Sequence, residues 1–469
     1  MKMRFIHEKL TPFLITCGII LVLASPLPYG NVETWSVSLF EIISFLTFGV
    51  WLIGDILKRR IRILPSHLYL PFGLFFVIIL FQVLGLPEFI LKLLSPHKVE
   101  LFHARSEALR HIFGDGLNLS DSISLYPFLT YEKLLLYLSY AAFFFTVSNY
   151  VRTSKQIKRF FWIIFTISIV ESLIGLLQYI ASGTKVPASG TYINPNHFAG
   201  LLVTVIPVYL GYILYLGANK GSVSSRWRDK IRIHFSTRLL LLFAVSLIAI
   251  SMILAQSRGA IFSFAVSILS FYVLISHNKK SGSLKLLLGA FFVLVIVYSV
   301  WIGLDPVIEK FSETTKELPN RTSIWKDSLT LIKDFPLLGT GLGNFNLAYT
   351  LYKKEAFGPY VYDHAHNDYI ELIVETGILG FTLVMWGLIS FFITTIHSLK
   401  DFNPKKDPLR FYLLLGCLCG LFGMMAHAVT EFCFQIPSNA YYFTFVLGLS
   451  VSITEHLKRV AHKSVEDPD

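Results

Sequence analysis

The residues of this chain best suited to chemistry are two histidines, His364 and His366, in the polar segment Asp-His-Ala-His-Asn-Asp at 363–368. Nine residues separate Asn367 from Gly377, and Gly380 follows three positions later. The segment closes a long polar loop, and the sequence after it becomes strongly apolar. Titratable imidazoles at such a boundary are well placed for a reaction on a lipid-borne substrate.

His366 is predicted to lie at a helix N-terminus, because Asn367 or Asp368 is a plausible N-cap and 369–376 contains no helix breaker. A helix N-terminus favours anions such as phosphate, and imidazole is the usual general base near neutral pH. Two other interpretations stay open. The polar residues could simply cap a helix, or His364, His366 and Asp368 could bind a metal, although no further ligand set stands out in the loop.

Two arginines are candidates for binding phosphate. Arg258 lies in a tight turn between two apolar segments, and Arg321 begins a predicted helical stretch from about Ile324 to Lys333. Guanidinium is the side chain best suited to grip phosphate oxygens in a bidentate manner. The alternatives are that Arg258 reaches to lipid headgroups and that Arg321 is a solvated loop charge.

The glycines near these residues are predicted to be structural. Gly377 and Gly380, three apart, would share one helix face and allow close helix packing. The run 339–343 (Gly-Thr-Gly-Leu-Gly) lacks the Lys-Ser/Thr that follows in a nucleotide-binding loop. We therefore interpret that run as a turn.

Polar residues also occur within predicted spans. Glu171 and Gln178, seven apart, lie on one helix face, where they could make a structural contact between helices or line a substrate path. His427 and Glu431, four apart near another span's end, are predicted to contribute packing or a local hydrogen bond. The four cysteines support no disulfide framework.

Composition indicates a polytopic membrane protein. The 469 residues are 54% hydrophobic and 15% charged, whereas soluble domains carry about 25% charged residues. A span needs about 20 mainly apolar residues. Twelve spans are predicted, at 11–28, 37–56, 67–86, 126–149, 160–181, 197–218, 239–255, 260–276, 286–303, 369–396, 411–429 and 437–456. The expected fold is one all-α membrane domain over 1–469.

The distribution of basic residues predicts the orientation. With both termini cytoplasmic, 27 of the 41 Lys and Arg residues fall on the cytoplasmic side, as the positive-inside rule requires. The net charge of +11 reflects this bias, and it gives no reason to propose nucleic acid as a partner. Two long segments then lie outside: 87–125, with apolar pairs suited to an amphipathic surface helix, and the large loop 304–368.

Together these motifs resemble the O-antigen ligases and the related polymerases. His366-Asn367, nine residues and Gly377-x-x-Gly380 are similar to that family's histidine signature. The resemblance extends over about 165–440 and does not include 1–125. The other segments that carry it are Arg321-x-x-x-Trp325, the loop from Pro336 to Phe345, the turn 257–260 (Ser-Arg-Gly-Ala), and the middle region 190–200 with Asn196, preceded by Glu171 and Gln178.

The resemblance implies an all-helical membrane glycosyltransferase of the GT-C type in the bacterial inner membrane, with its active site on the periplasmic side. The implied donor is a glycan on undecaprenyl pyrophosphate, used without a metal ion or nucleotide cofactor. Arg258 and Arg321 would neutralise the pyrophosphate, while His366 would deprotonate the acceptor hydroxyl, with inversion at the anomeric carbon. Asn367, Gly377, Gly380, Glu171, Gln178 and Asn196 would support this site.

The leading prediction is transfer of a polysaccharide to lipid A-core. A polymerase that joins repeat units and a ligase that glycosylates protein would use the same residues. A transporter or flippase is a more distant alternative, and it predicts functional residues in the middle of the membrane.

Overall fold

The computed structural model describes residues 2–59, 63–113, 122–183, 186–218, 227–276, 314–353 and 362–466, which are mainly helical and contain no β-strand. The predicted ninth span, 286–303, and the parts 304–313 and 354–361 of the large loop lie outside these residues. The helices, numbered along the described chain, are α1 Lys2–Leu23, α2 Thr34–Leu57, α3 Tyr69–Val83, α4 Glu88–Leu94, α5 Pro96–Phe113, α6 Pro127–Tyr150, α7 Ser154–Ala181, α8 Pro195–Ala218, α9 Trp227–Leu254, α10 Arg258–Ser276, α11 Thr314–Asp334, α12 Phe345–Thr350, α13 Asp368–Asp401, α14 Pro408–His427 and α15 Pro437–Glu466, with a 3-10 turn at Cys433–Gln435.

Seven helical segments of the described chain are long and apolar enough to cross a membrane. They are Thr34–Leu57, Ser154–Ala181, Pro195–Ala218, Thr237–Leu254, Arg258–Ile275, Asp368–Asp401 and Pro408–His427. Helices α1, α3, α6 and α15 coincide with four more of the predicted spans. The prediction of an all-helical, multi-pass membrane protein is therefore confirmed, while the total of twelve spans stays a prediction.

Helices α8 and α14 form the centre of the bundle, and α8 is buried along almost its whole length. Three glycines of α14, Gly416, Gly420 and Gly423, face α8 at intervals of four and three residues. A Cβ at Gly416 or Gly420 would overlap a backbone carbonyl of α8, and one at Gly423 would press on Val203. Small residues of this kind let membrane helices approach closely, so these glycines fix the contact that the outer helices surround.

The glycine-rich segment 336–344 inserts beside α13 and breaks that helix. Gly377 has φ +64° and ψ −176°, which is not helical. The N–H of Thr340 donates to the carbonyl of Val374, and the N–H of Ile378 donates to the carbonyl of Pro336. The segment thus takes over backbone groups that the break would leave without partners.

This arrangement corrects the prediction for the glycine pair. Gly377 and Gly380 do not share one uninterrupted helix face, because the backbone changes conformation at Gly377. A Cβ at Gly377 would overlap the backbone of Leu337, and its positive φ is also unfavourable for other residues. Gly380 does lie close to Phe75 of α3, so the predicted close packing applies to that glycine.

The segment predicted as an amphipathic surface helix forms two helices, α4 and α5, with Pro96 at the first position of α5. On α4, Leu91 is buried, whereas Phe89 and Leu93 are 74% and 77% exposed. The helix therefore presents two apolar side chains away from the rest of the molecule.

Several connections between helices meet at one end of the bundle. The hydroxyl oxygen of Thr191, in the α7–α8 connection, lies 2.8 Å from the carbonyl oxygen of Pro26, and the N–H of Ser438 donates to the carbonyl of Gly30. The start of α13 joins them, because the N–H of Asp368 donates to a carbonyl in the α14–α15 connection. This end of the bundle carries the candidate site.

We expect Gly377→Ala to destabilise the folded protein, because alanine would meet both an unfavourable φ and the Leu337 backbone. Positive φ alone costs of order 1–3 kcal/mol for a residue with a Cβ. The measurement is the apparent melting temperature in detergent. Gly49→Ala is the matched control, since a Cβ there meets no atom within 4 Å. Equal melting of the two variants would contradict the role given to Gly377.

Candidate functional site

The start of α13 places the histidine segment. Asn367 is the N-cap, and its side-chain oxygen accepts hydrogen bonds from the N–H groups of Tyr369 and Ile370, at 3.0 and 3.1 Å. This confirms the first of the two predicted caps. His366 precedes the cap with φ +50°, a conformation that non-glycine residues seldom adopt. The tight turn directs the chain away from the α13 axis immediately before the helix begins.

The centre of the site is the buried carboxylate of Glu431, in the connection after α14. Its side chain is 3% exposed. One oxygen accepts hydrogen bonds from Arg321 Nη2 at 2.7 Å and from Asn196 Nδ2 at 2.8 Å. The other oxygen accepts a hydrogen bond from Nδ1 of His366 at 3.3 Å. Glu431 therefore joins residues from α8, α11 and the segment before α13.

The charge on Glu431 is maintained despite its burial. Burial by itself raises the pKa of this carboxyl, but the hydrogen bond from His366 and the positive charges of Arg321 and His366 lower the pKa to about 2. A buried carboxylate paired in this way stays ionised at neutral pH. It fixes the hydrogen-bonding direction of the His366 ring, since an ionised carboxylate only accepts.

Arg321 also binds the backbone at this site, and the same turn connects the site to Arg258. Arg321 Nη1 donates to the carbonyl oxygen of Thr430 at 2.6 Å. Gly259, the residue after Arg258, packs so closely against Thr430 that a Cβ would overlap its hydroxyl, and it also touches the ring of His427. The two predicted arginines and His366 thus belong to elements that meet at the 427–431 turn.

Glu171 and Gln178 act on the neighbouring α7–α8 connection. Glu171 accepts from both the N–H and the hydroxyl of Thr191, at 2.9 and 2.7 Å. Gln178 donates to the carbonyl of Gly190 at 2.7 Å. These bonds satisfy the polar groups on this face of α7, and they hold the connection that leads into Asn196.

The two histidines of the segment bind different carboxylates. Nδ1 of His364 lies 2.7 Å from Glu371, whereas Nδ1 of His366 faces Glu431. Within the part of the chain that the structure describes, no group of three His, Cys, Asp or Glu side chains is arranged to hold a metal ion. The geometry instead suits proton transfer and hydrogen bonding by imidazole.

An apolar groove of about 430 Å³ lies next to the site, between α3, α6, α13 and α15. Its walls are mainly aromatic and aliphatic, and Asp368 and Gln435 are among the few polar residues that line it. The turn 431–435 separates the two regions: Glu431 belongs to the polar site, whereas Phe434 and Gln435 line the groove. The polar centre and the apolar groove therefore lie side by side.

Comparisons with known proteins match parts of this chain. Residues 243–385 match the O-antigen ligase family. The resemblance recognised from the sequence motifs is thereby confirmed for this region. The chain is also 29% identical over 111 residues to the exopolysaccharide production protein ExoQ of Rhizobium meliloti (strain 1021), an alignment that covers 23% of this chain and 25% of that protein. It thus matches about a quarter of the relative's length.

The matched region contains Arg258, Arg321, His366, Asn367 and both glycines of the signature. It excludes the three other predicted residues, Glu171, Gln178 and Asn196, and it also excludes Glu431. From the sequence, Glu431 is predicted only to pack or to make a local hydrogen bond near the end of α14. The sequence does contain a signal for a larger role. A carboxylate that follows an apolar helix needs a cation or hydrogen-bond donors if it is buried.

We expect Glu431→Gln to lower the apparent melting temperature at neutral pH. The pKa of Glu431 is depressed from 4.5 to about 2 in the folded protein, so its ionised form stabilises the fold above about pH 4.5. That contribution declines as the pH falls toward 2. The difference in melting temperature between wild type and variant should therefore shrink on acidification.

Glu100→Gln is the control, because Glu100 also pairs with a histidine but is 75% exposed, and exposed pairs contribute little. A melting difference for Glu431→Gln that is independent of pH would contradict the charge assigned to this residue.

Proposed function

We propose that this protein is a glycosyltransferase of the O-antigen ligase type, which moves a glycan from undecaprenyl pyrophosphate to an acceptor hydroxyl on the periplasmic side of the inner membrane. The observation that carries the proposal is the group of His366, Glu431 and Arg321 directly beside an apolar groove. The family match over 243–385 supports the same reaction class.

His366 is the proposed general base. Its Nδ1–H donates to Glu431, which leaves Nε2 to accept the proton of the acceptor hydroxyl. The hydroxyl oxygen then attacks the anomeric carbon as the bond to the pyrophosphate breaks, and the configuration inverts. General-base assistance of this kind contributes about 10²–10⁴ in rate.

Arg321 and Arg258 are the proposed pyrophosphate ligands. A glycosyl pyrophosphate already carries an activated leaving group, so the proposal requires no nucleotide. Arg321 uses Nη1 and Nη2 to bind Thr430 and Glu431, and its guanidinium has further N–H donors. A cation that is fixed in this way stabilises negative charge on the departing pyrophosphate without reorganising.

The apolar groove is the proposed site for part of the isoprenoid chain. Phe72, Phe76, Phe144 and Leu447 are among its lining residues, and its few polar side chains include Asp368, two positions after His366. Because the carrier chain already lies in apolar lipid, such a groove would favour it through close van der Waals packing and not through removal of water. A carrier lipid placed there would present its pyrophosphate at the end where the histidine lies.

We expect His366→Ala to abolish transfer of polymer to its acceptor while the lipid-linked donor accumulates on the outer face of the membrane. The measurements are surface polysaccharide and the carrier-linked pool in cells. His67→Ala is the control, because His67 is exposed and lies between α2 and α3, in a part of the sequence that carries none of the site residues.

Attachment of polymer at the wild-type level in His366→Ala would exclude this histidine from the mechanism. Accumulation of donor on the cytoplasmic face would instead support a transporter or flippase. That alternative is disfavoured by the position of the ionised cluster, which lies at helix ends rather than in the middle of the spans.

Lipid A-core is the leading acceptor, and two related reactions use the same geometry. The similarity to ExoQ, an exopolysaccharide production protein, favours a polymerase as the second candidate. A ligase that transfers the glycan to protein is the third.

Deletion of the gene distinguishes these reactions. We expect loss of attached polymer with carrier-linked chains of normal length for a ligase. Single repeat units on the carrier would show a polymerase, and normal lipopolysaccharide with an unglycosylated protein would show a protein ligase. The measurement is chain-length analysis of lipid-linked and free polymer, with the cloned gene restored as the control.

A further inference from the structure

A second pair of imidazole and carboxylate lies beside the first. Nδ1 of His364 is 2.7 Å from Oε1 of Glu371, and the N–H of Ala365 donates to the other oxygen of Glu371 at 2.9 Å. Glu371 is 1% exposed, whereas the His364 side chain is 25% exposed. A buried carboxylate thus orients a partly exposed ring, as Glu431 orients His366.

The two imidazoles share one aromatic partner. The His364 ring stacks on Phe432, with centroids 4.3 Å apart and an angle of 22°, and the His366 ring meets Phe432 edge-on at 4.9 Å. Trp325 fixes the backbone between them by donating to the carbonyl of Ala365 at 2.9 Å. Nε2 of each ring has no hydrogen-bond partner among the described residues.

The charges around the two pairs differ. Glu431 binds Arg321 as well as His366, so its negative charge has a guanidinium partner besides the imidazole. Among the described residues, Glu371 has His364 as its ion-pair partner and no lysine or arginine within 4.0 Å. Glu371 therefore orients His364 without a competing lysine or arginine, and Nε2 of His364 stays open to a ligand.

We propose that His364, oriented by Glu371, binds the pyrophosphate of the donor. The inference rests on the proposed function and identifies a further ligand of the same substrate. In its imidazolium form, His364 binds Glu371 through Nδ1–H and donates its Nε2–H to an oxygen of the phosphate that bears the glycan. During transfer the acceptor proton moves to Nε2 of His366, the new glycosidic bond forms, and the electron pair of the broken bond goes to this phosphate. His364 stabilises that charge without transferring its own proton.

The test is binding of two probes, undecaprenyl diphosphate and undecaprenyl monophosphate, to the purified full-length protein by native mass spectrometry. His364→Gln should weaken diphosphate binding by about tenfold, the usual effect of losing one hydrogen bond to a charged group. It should leave monophosphate binding unchanged, because the monophosphate lacks the phosphate that His364 contacts. Glu371→Gln should weaken diphosphate binding in the same selective manner, since it removes the charge that orients His364.

Two controls separate this role from a structural one. His366→Gln should retain diphosphate binding and lose glycan transfer. His103→Gln removes an exposed histidine that pairs with Glu88 outside the site, and it should change neither property. If His364→Gln accumulates poorly, the same binding comparison is made with Glu371→Gln and with His364→Arg. The arginine variant keeps a positive charge at this position.

Wild-type affinity for diphosphate in both His364→Gln and Glu371→Gln would overturn the inference. Equal weakening for both probes, together with a lower melting temperature, would also overturn it, because this indicates a structural role. Failure of the wild-type protein to bind undecaprenyl diphosphate would contradict the proposed function itself. These outcomes are distinguishable within one set of measurements.

Discussion

The site depends on one buried carboxylate that remains ionised. Glu431 gathers Arg321, Asn196 and His366 from three separate parts of the chain. A buried anion without such partners would be strongly unfavourable. The same contacts that satisfy the charge therefore also fix the positions of an imidazole and a guanidinium, so stability and function rest on shared hydrogen bonds.

The break in α13 is the second constraint. Segment 336–344 inserts where the helix is interrupted at Gly377, and its backbone groups pair with those on both sides of the break. The first part of α13 is thereby held as a separate short helix, whose N-terminus carries the histidine segment. Glu371, which orients His364, belongs to this short helix. The glycine-rich segment thus affects the site indirectly, because it holds the short helix that carries the histidine segment.

A single turn places polar chemistry next to an apolar groove. Within 431–435, Glu431 binds His366, Phe432 packs against both imidazoles, and Phe434 and Gln435 line the groove. This succession suits a substrate with a hydrocarbon tail and an ionised head, because each part meets surroundings of its own polarity. The turn is short, so the two environments cannot move far apart.

The sequence by itself determined the membrane class, most of the helices, the N-cap at Asn367 and the residue types of the site, because apolar length, capping and motif spacing are local properties. It predicted His366, Arg258 and Arg321 as site residues, but it treated Gly377 as part of a continuous helix face and Glu431 as a local contact. Only the tertiary structure decided that Glu431 joins Arg321 to His366 and that His364 has its own carboxylate. Glu431 lies 110 and 65 positions from Arg321 and His366, and no local pattern encodes which distant donor will satisfy a buried charge.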